Sequence, residues 1–206
     1  MNNKNQQGQT LIEAIVAIAI IGVALIGFLS QSSYNFAAAK ESFNRTVALN
    51  LAREGIEVVR NVRDSNWLQG CFDPAKSSCK YWNTGLASGL NYKATVSYSD
   101  SLKRWTLHFH NYSFEECVQN KVCLLYLKDN GMYVKKTVNS EPTGFYRQIE
   151  IQRICKDESA CGGDGICISG QKCVEEIGLN VVSHVTWKQG NNWRNVVLSD
   201  RLYNWR

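Results

Sequence analysis

The sequence predicts an α+β fold: one long amino-terminal helix packed on an antiparallel β-sheet domain with disulfide-closed loops. Three observations predict it. An unbroken apolar run over residues 11–29 leads into an amphipathic helical pattern. Short alternating segments divided by turn residues then fill most of the chain. All eight cysteines lie after residue 70, among those segments. Helix first and strands afterwards indicates segregated layers rather than alternating β and α units.

The first element is the apolar run. It is apolar on every side of a helical projection, which suits lipid or a helical bundle better than one face of a soluble domain. A span of ~17–25 apolar residues crosses a bilayer. Its one charge is Glu13, near the start. A carboxylate at the centre of a membrane helix costs ~2.5–3.5 kcal/mol on insertion scales, so such a group usually has a partner. Ahead of the run lies a short polar leader carrying Lys4. A positive charge before the span and none inside it keeps the leader cytoplasmic and sends the rest outward. A cleaved secretory signal, with a small-residue site at Ala37-Ala38-Ala39, and a plain membrane anchor are the competing readings. The run is longer than the ~7–15 apolar residues of a secretory signal, and a plain anchor does not account for Gly8 or Glu13.

Gly8 before the span, Glu13 as the fifth residue after it, and the run Leu11-Ile12-Glu13-Ala14-Ile15-Val16-Ala17-Ile18 resemble the type IV prepilin signal. The resemblance implies a pilin-like fold, cleavage after Gly8 by a prepilin peptidase, and methylation of the new amino terminus at Gln9. The family's usual first mature residue is Phe; here it is Gln9. Cleavage would free an α-amine with a pKa of ~8, largely positive at pH 7. Glu13 would lie about 6 Å along the helix from it. In a bundle the carboxylate would meet the amine of its own chain or of a neighbour. A mispaired carboxylate in an apolar core costs several kcal/mol, so the pair would set subunit register.

The helix is expected to continue past the apolar run. Phe43, Val47, Leu51, Gly55, Val58 and Val62 recur at spacings of three and four, and Leu49, Ala52, Ile56 and Val59 broaden the stripe. Arg45, Arg53, Glu54, Glu57, Arg60 and Arg63 take the remaining faces, with Arg53 and Glu57 spaced i,i+4. One helix from about residue 10 to about residue 63 would be ~80 Å long. A break near residues 30–35, where the sequence turns polar, is the alternative. The expected organisation is a cleaved leader (1–8), a transmembrane or filament-core helix (9–29), its amphipathic continuation (30–63) and a β-rich head (64–206).

Residues 64–91 read as loop, punctuated by Gly70, Pro74, Gly85 and Gly89. Strands are expected over residues 92–98 and 105–109. Segments 124–127 and 132–136 flank Asp129-Asn130-Gly131, a hairpin signal. Residues 145–154 alternate, with Arg147, Ile149, Ile151 and Arg153 in one register. Segments 179–187 and 195–198 flank Gln189-Gly190-Asn191, a second hairpin signal, and the chain ends on Leu202-Tyr203-Asn204-Trp205-Arg206. This last strand pair is also similar to minor pilins and pseudopilins.

An even number of cysteines in an exported domain normally forms a disulfide framework. Spacing leaves the connectivity open. Local pairing is expected: Cys71 with Cys79, Cys117 with Cys123, and two bridges among Cys155, Cys161, Cys167 and Cys173, with 155–173 enclosing 161–167 as one arrangement. Structural zinc prefers C-x₂₋₄-C pairs, and every spacing here is wider. His108 and His110 would share one strand face, where a surface role is commoner than a metal pair. Asp157 and Asp164 lack the spacing of an EF-hand loop. No nucleophile elbow, zincin helix or phosphate loop occurs.

No enzyme and no cofactor are therefore expected. The resemblance implies a structural subunit, a minor pilin or pseudopilin rather than a bulk pilin. Its partners would be other pilin subunits, the prepilin peptidase, the inner-membrane assembly platform and, before assembly, membrane lipid. Its place would be the cytoplasmic membrane first and an extracellular filament afterwards. A membrane-anchored binding or adhesion domain that does not polymerise is the alternative. The net charge of +5 is too small to single out nucleic acid as a partner. Trp105 and Trp193 beside Arg104 and Arg194 have the chemistry to stack on single strands, but core packing is the stronger expectation.

Overall fold

A computed structural model describes residues 6–71, 81–86, 92–99, 102–137, 139–157, 161, 165–167 and 173–204. Lys4, Pro74, Cys79, Gly89, Asp164 and Trp205, named above, lie outside the described residues. The chain divides into two compact units, Met1–Asn44 and Arg45–Arg206.

Helix α1 runs over Gln6–Leu68. No proline interrupts it, and a Cβ added at Gly22 or Gly27 would meet nothing within 4 Å, so the two glycines are tolerated on an open surface. The polar stretch after Leu29 does not break it. Ser33 Oγ donates back to the Leu29 carbonyl at 3.0 Å, and Gln31 Nε2 donates to Asn35 Oδ1 at 3.2 Å. These bonds satisfy the polar side chains within the helix itself.

The helix ends five residues later than the periodicity predicts. Gly70 takes a left-handed φ of 79°, Gly70 N–H donates to the Trp67 carbonyl at 3.0 Å, and Cys71 N–H reaches the Asn66 carbonyl at 3.0 Å. That pair of bonds is the glycine-dependent Schellman stop. Residues 64–68 thus belong to the helix rather than to the loop.

In the second unit the strands are β1 (Lys93–Ser99), β2 (Arg104–His110), β3 (Leu124–Lys128), β4 (Tyr133–Val134), β5 (Ser140–Cys155), β6 (Ile166–Cys167), β7 (Glu176–Gln189) and β8 (Asn192–Tyr203). All recorded pairings are antiparallel. β5 is the central strand. β7 pairs along one side of it, from Phe145↔Trp187 to Cys155↔Glu176. β3, β1 and β6 share its other side in turn, at Tyr146↔Leu124, Ile149↔Ala94 and Arg153↔Cys167. Among the described residues β2 and β8 are edges, pairing only with β1 and β7. Both expected hairpins form. Gly131 has φ 83° in the β3–β4 turn, and Gly190 has φ 59° in the two-residue β7–β8 turn, where a side chain would be strained.

From Arg45 onward α1 lies on this sheet. Ile56, Val58 and Val59 share one buried cluster with Val96, Ile149, Ile151, Leu179, Val181 and Leu202. Ala48, Leu51 and Ala52 share a second with Leu125, Phe145, Val185 and Trp187. Each fully buried large apolar side chain contributes about 1.5–3 kcal/mol. The closest approach is at Gly55. A Cβ there would collide with Ile149 Cδ1 and come within 2.9 Å of Ser183 Oγ, so any larger residue would force those buried side chains to shift.

The charged faces of α1 differ from expectation at three places. Arg63 is buried, pairs with Asp64 at 2.8 Å and reaches the Tyr203 carbonyl at 3.5 Å. Glu57 pairs with Arg60 at i,i+3, and Arg60 also bridges to Asp200 of β8. Glu54 turns toward the sheet to meet Arg147 at 3.2 Å. Helix α2 (Phe114–Gln119) is absent from the sequence expectation. Ser113 opens it with a capping box, Glu116 N–H donating to Ser113 Oγ at 3.2 Å and Ser113 N–H to Glu116 Oε2 at 2.8 Å.

Candidate functional site

The amino-terminal half of α1 is the first candidate. Leu11, Ile12, Ile15, Val16, Ile18 and Ile20 are each at least half exposed, as are Val23, Leu25, Ile26, Phe28 and Leu29 further along. The helix is long and apolar enough to cross a membrane, and none of its most apolar window is buried. So much apolar surface is not left in water; at about 25 cal/mol per Å² it drives insertion into lipid or packing against other helices. Gly8 and Gln9 fall in the helical stretch, one turn before Glu13. Among the described residues no basic group pairs with Glu13, and Leu11, Ile12, Ile15 and Val16 near it are exposed.

Residues 3–29 match the family model for the prokaryotic N-terminal methylation motif. The amino-terminal segment is a type IV prepilin signal. The match covers the leader and the apolar half of α1, and the β-domain lies outside it. No curated protein and no solved structure matches the chain. The prepilin signal joined to a long helix and an antiparallel sheet makes a pilin-like α+β architecture.

The cysteines behind the prepilin signal form bridges. Cys117 pairs with Cys123, Cys155 with Cys173 and Cys161 with Cys167. Cys71 is also in a disulfide; Cys79, expected as its partner, lies outside the described residues. Cys155 Sγ and Cys167 Sγ of the two nested bridges touch at 3.2 Å. His110 Nε2 lies 3.7 Å from Cys117 Sγ. Oxidised sulfurs offer no thiolate, so this histidine and these cysteines do not make a metal centre in the bridged state.

The histidines occupy separate surroundings. His108 Nε2 meets Ser97 Oγ at 3.0 Å, His110 packs on Tyr112, and His184 packs on Phe114 of α2. Burial lowers the pKa of all three. Lys135 pushes His108 and His110 further down, while Glu150 and Glu115 oppose the shift at His184.

The second polar feature is Arg147, the alternating position of β5 that turns into the core. Its side chain is fully buried, and Nη1 donates to the Leu51 carbonyl at 2.9 Å. Nε and Nη2 have no protein partner. Burial lowers the Arg147 pKa and Glu54 opposes that shift. Glu176 behaves in the reverse sense. Burial raises its pKa, against a 2.8 Å hydrogen bond from Asn83 Nδ2 and the nearby Arg153. These groups tie elements of the head together; they are not disposed around a reacting atom.

Proposed function

We propose that the protein is a structural subunit of a type IV pilus-like filament, a minor pilin or pseudopilin, and not an enzyme. Prepilin peptidase cuts after Gly8, Gln9 becomes the methylated amino terminus, and the helix leaves the membrane to join a filament core. There the Glu13 carboxylate meets a subunit's terminal amine and sets register. The head is carried on the far half of the helix and faces outward. Its partners are other pilin subunits and the inner-membrane assembly platform.

The observation that carries this reading is the prepilin signal on a helix whose apolar band is exposed all round. The exposed band supports burial in lipid first and among like helices afterwards. A head with its own core and several disulfides suits a position outside the cell.

Amino-terminal sequencing of membrane and exported material tests the reading. In cells with a prepilin peptidase the chain should begin at Gln9, and a bulky change such as Gly8→Leu should leave it uncut. A chain that still begins at Met1 in such cells overturns the proposal. Processed protein that never appears in sheared filaments would instead support a membrane-anchored binding domain.

A further inference from the structure

A cleft of about 590 Å³ opens between the last turns of α1 and the edge strand β2. Trp105 and Asn61 line it and also line an adjoining hollow of about 330 Å³, so the indole stands between the two. One wall is preformed: Asn66 Nδ2 donates to the Trp82 carbonyl at 2.9 Å and the Thr84 carbonyl at 2.8 Å, fixing the 81–86 turn against the helix.

Three of the polar side chains lining this cleft are uncommitted. Among the described residues no side-chain hydrogen bond or ion pair engages Asn61, Gln69 or Arg104, and all three are exposed. Other lining polar residues are already engaged, Asn66 with the 81–86 turn and Thr106 Oγ1 with the Ser97 carbonyl at 3.1 Å. Two carboxamides, the Ser65 hydroxyl, one guanidinium, the apolar Val62 and Leu107 and the part of the half-buried Trp105 indole left open by its edge contact with Tyr98 remain. Carboxamides both donate and accept, which matches adjacent hydroxyls; an indole beds the C–H face of a pyranose ring; a guanidinium grips a carboxylate through two parallel hydrogen bonds.

Charge narrows the class. Among the described residues Arg104 is the single charged one lining the larger cleft, whereas Glu54, Glu57 and Asp64 line the smaller hollow with Arg60. Arg60 is already shared by Glu57 and Asp200. A polyanion with a phosphate at every repeat would meet those carboxylates. A ligand with one carboxylate at one end and neutral hydroxyls at the other would not. We propose that this cleft binds a short oligosaccharide bearing a carboxylate, with one ring against Trp105 and the carboxylate on Arg104. The site is independent of whether the chain polymerises.

The test uses the full chain in a sugar-free zwitterionic detergent, read by saturation-transfer NMR and tryptophan fluorescence. Trigalacturonic acid should bind saturably with a Kd of about 0.1–10 mM, the range of a shallow site with few contacts. Maltotriose should bind at least ~5-fold more weakly, and Arg104→Gln should erase that difference. Asn61→Ala with Gln69→Ala should weaken both sugars ~10-fold, equal to ~1.4 kcal/mol, with an unchanged Tm because both side chains are exposed. Absence of saturable binding at about 20 mM sugar overturns the proposal. So does indifference to Arg104→Gln, or tighter binding of an octathymidylate than of trigalacturonic acid.

Discussion

Arg147 Nη1 donates to the Leu51 carbonyl at 2.9 Å, from a side chain with no solvent exposure. This bond joins the central strand to the helix that crosses it. Glu54, 3.2 Å away on the next turn, supplies the counter-charge. The arrangement is asymmetric: Glu54 is partly exposed, whereas Arg147 is sealed and two of its nitrogens are unpartnered.

That asymmetry orders two substitutions. Glu54→Ala leaves a buried cation without its partner and should lower unfolding free energy by about 3 kcal/mol. Arg147→Met removes charge and unpartnered donors together and should be near neutral, within about 1 kcal/mol, or stabilising. Denaturant unfolding of the two variants checks the order. Equal losses would show that the ion pair is not the principal term.

Gly55→Ala should destabilise by about 1–3 kcal/mol despite a helix-propensity gain of ~1 kcal/mol. The new methyl would strike Ile149 and Ser183. The same change at Gly22, where nothing lies within 4 Å, should leave the head's unfolding midpoint unmoved.

The three histidines should titrate below the ordinary value of ~6.5 in an NMR titration. Lys135→Gln should raise His108 and His110 and leave His184 in place, since Lys135 acts on only the first two. A lowered folded-state pKa means the unfolded chain binds the proton more tightly. The histidine contribution to stability is therefore complete above ~6.5 and is lost as pH falls toward the folded values.

Glu176 gives the opposite slope. Its raised pKa means the folded head holds that proton more tightly, so its contribution is full below ~4.3 and is lost as pH rises through the folded value. Glu176→Gln keeps an acceptor for Asn83 and abolishes the titration. The variant should lose the part of the stability–pH curve that declines above ~4.3. An unchanged curve would assign that slope elsewhere.

Glu13→Leu should insert and be cleaved normally yet enter filaments poorly, because the carboxylate and not the apolar surface is held to set register. Immunoblots of sheared filaments against membrane fractions measure this. Normal incorporation of the variant would discard the register role.

Much of this architecture is written in local patterns. The apolar run, the i,i+3/i+4 stripe and the turns at Asp129-Asn130-Gly131 and Gly190-Asn191 depend on neighbours in sequence, so they are readable one at a time. Helix α2 was equally local: Ser113-Phe114-Glu115-Glu116 is a capping box that strand expectations passed over. Arg147 is a different matter. Its alternation matches Ile149 and Ile151, but a guanidinium in that register reads as a solvent-facing position. Only its partners on α1, far away in sequence, make it a core residue. The Trp105 cleft is likewise assembled from α1, the 81–86 turn and β2, and no short motif announces it. Arg63 and Glu54 escaped for the same reason: a helical wheel shows which residues share a face, not where the sheet's edge falls.

The Cys155–Cys173 bridge joins the end of β5 to the stretch just before β7, across the segment that connects them. A protease that nicked the chain between those two cysteines would release neither strand. The severed ends would stay stapled beside the central pairing, and the damaged subunit would keep its mass until a reductant reached it. The chain can thereby be cut once between those cysteines without losing either piece.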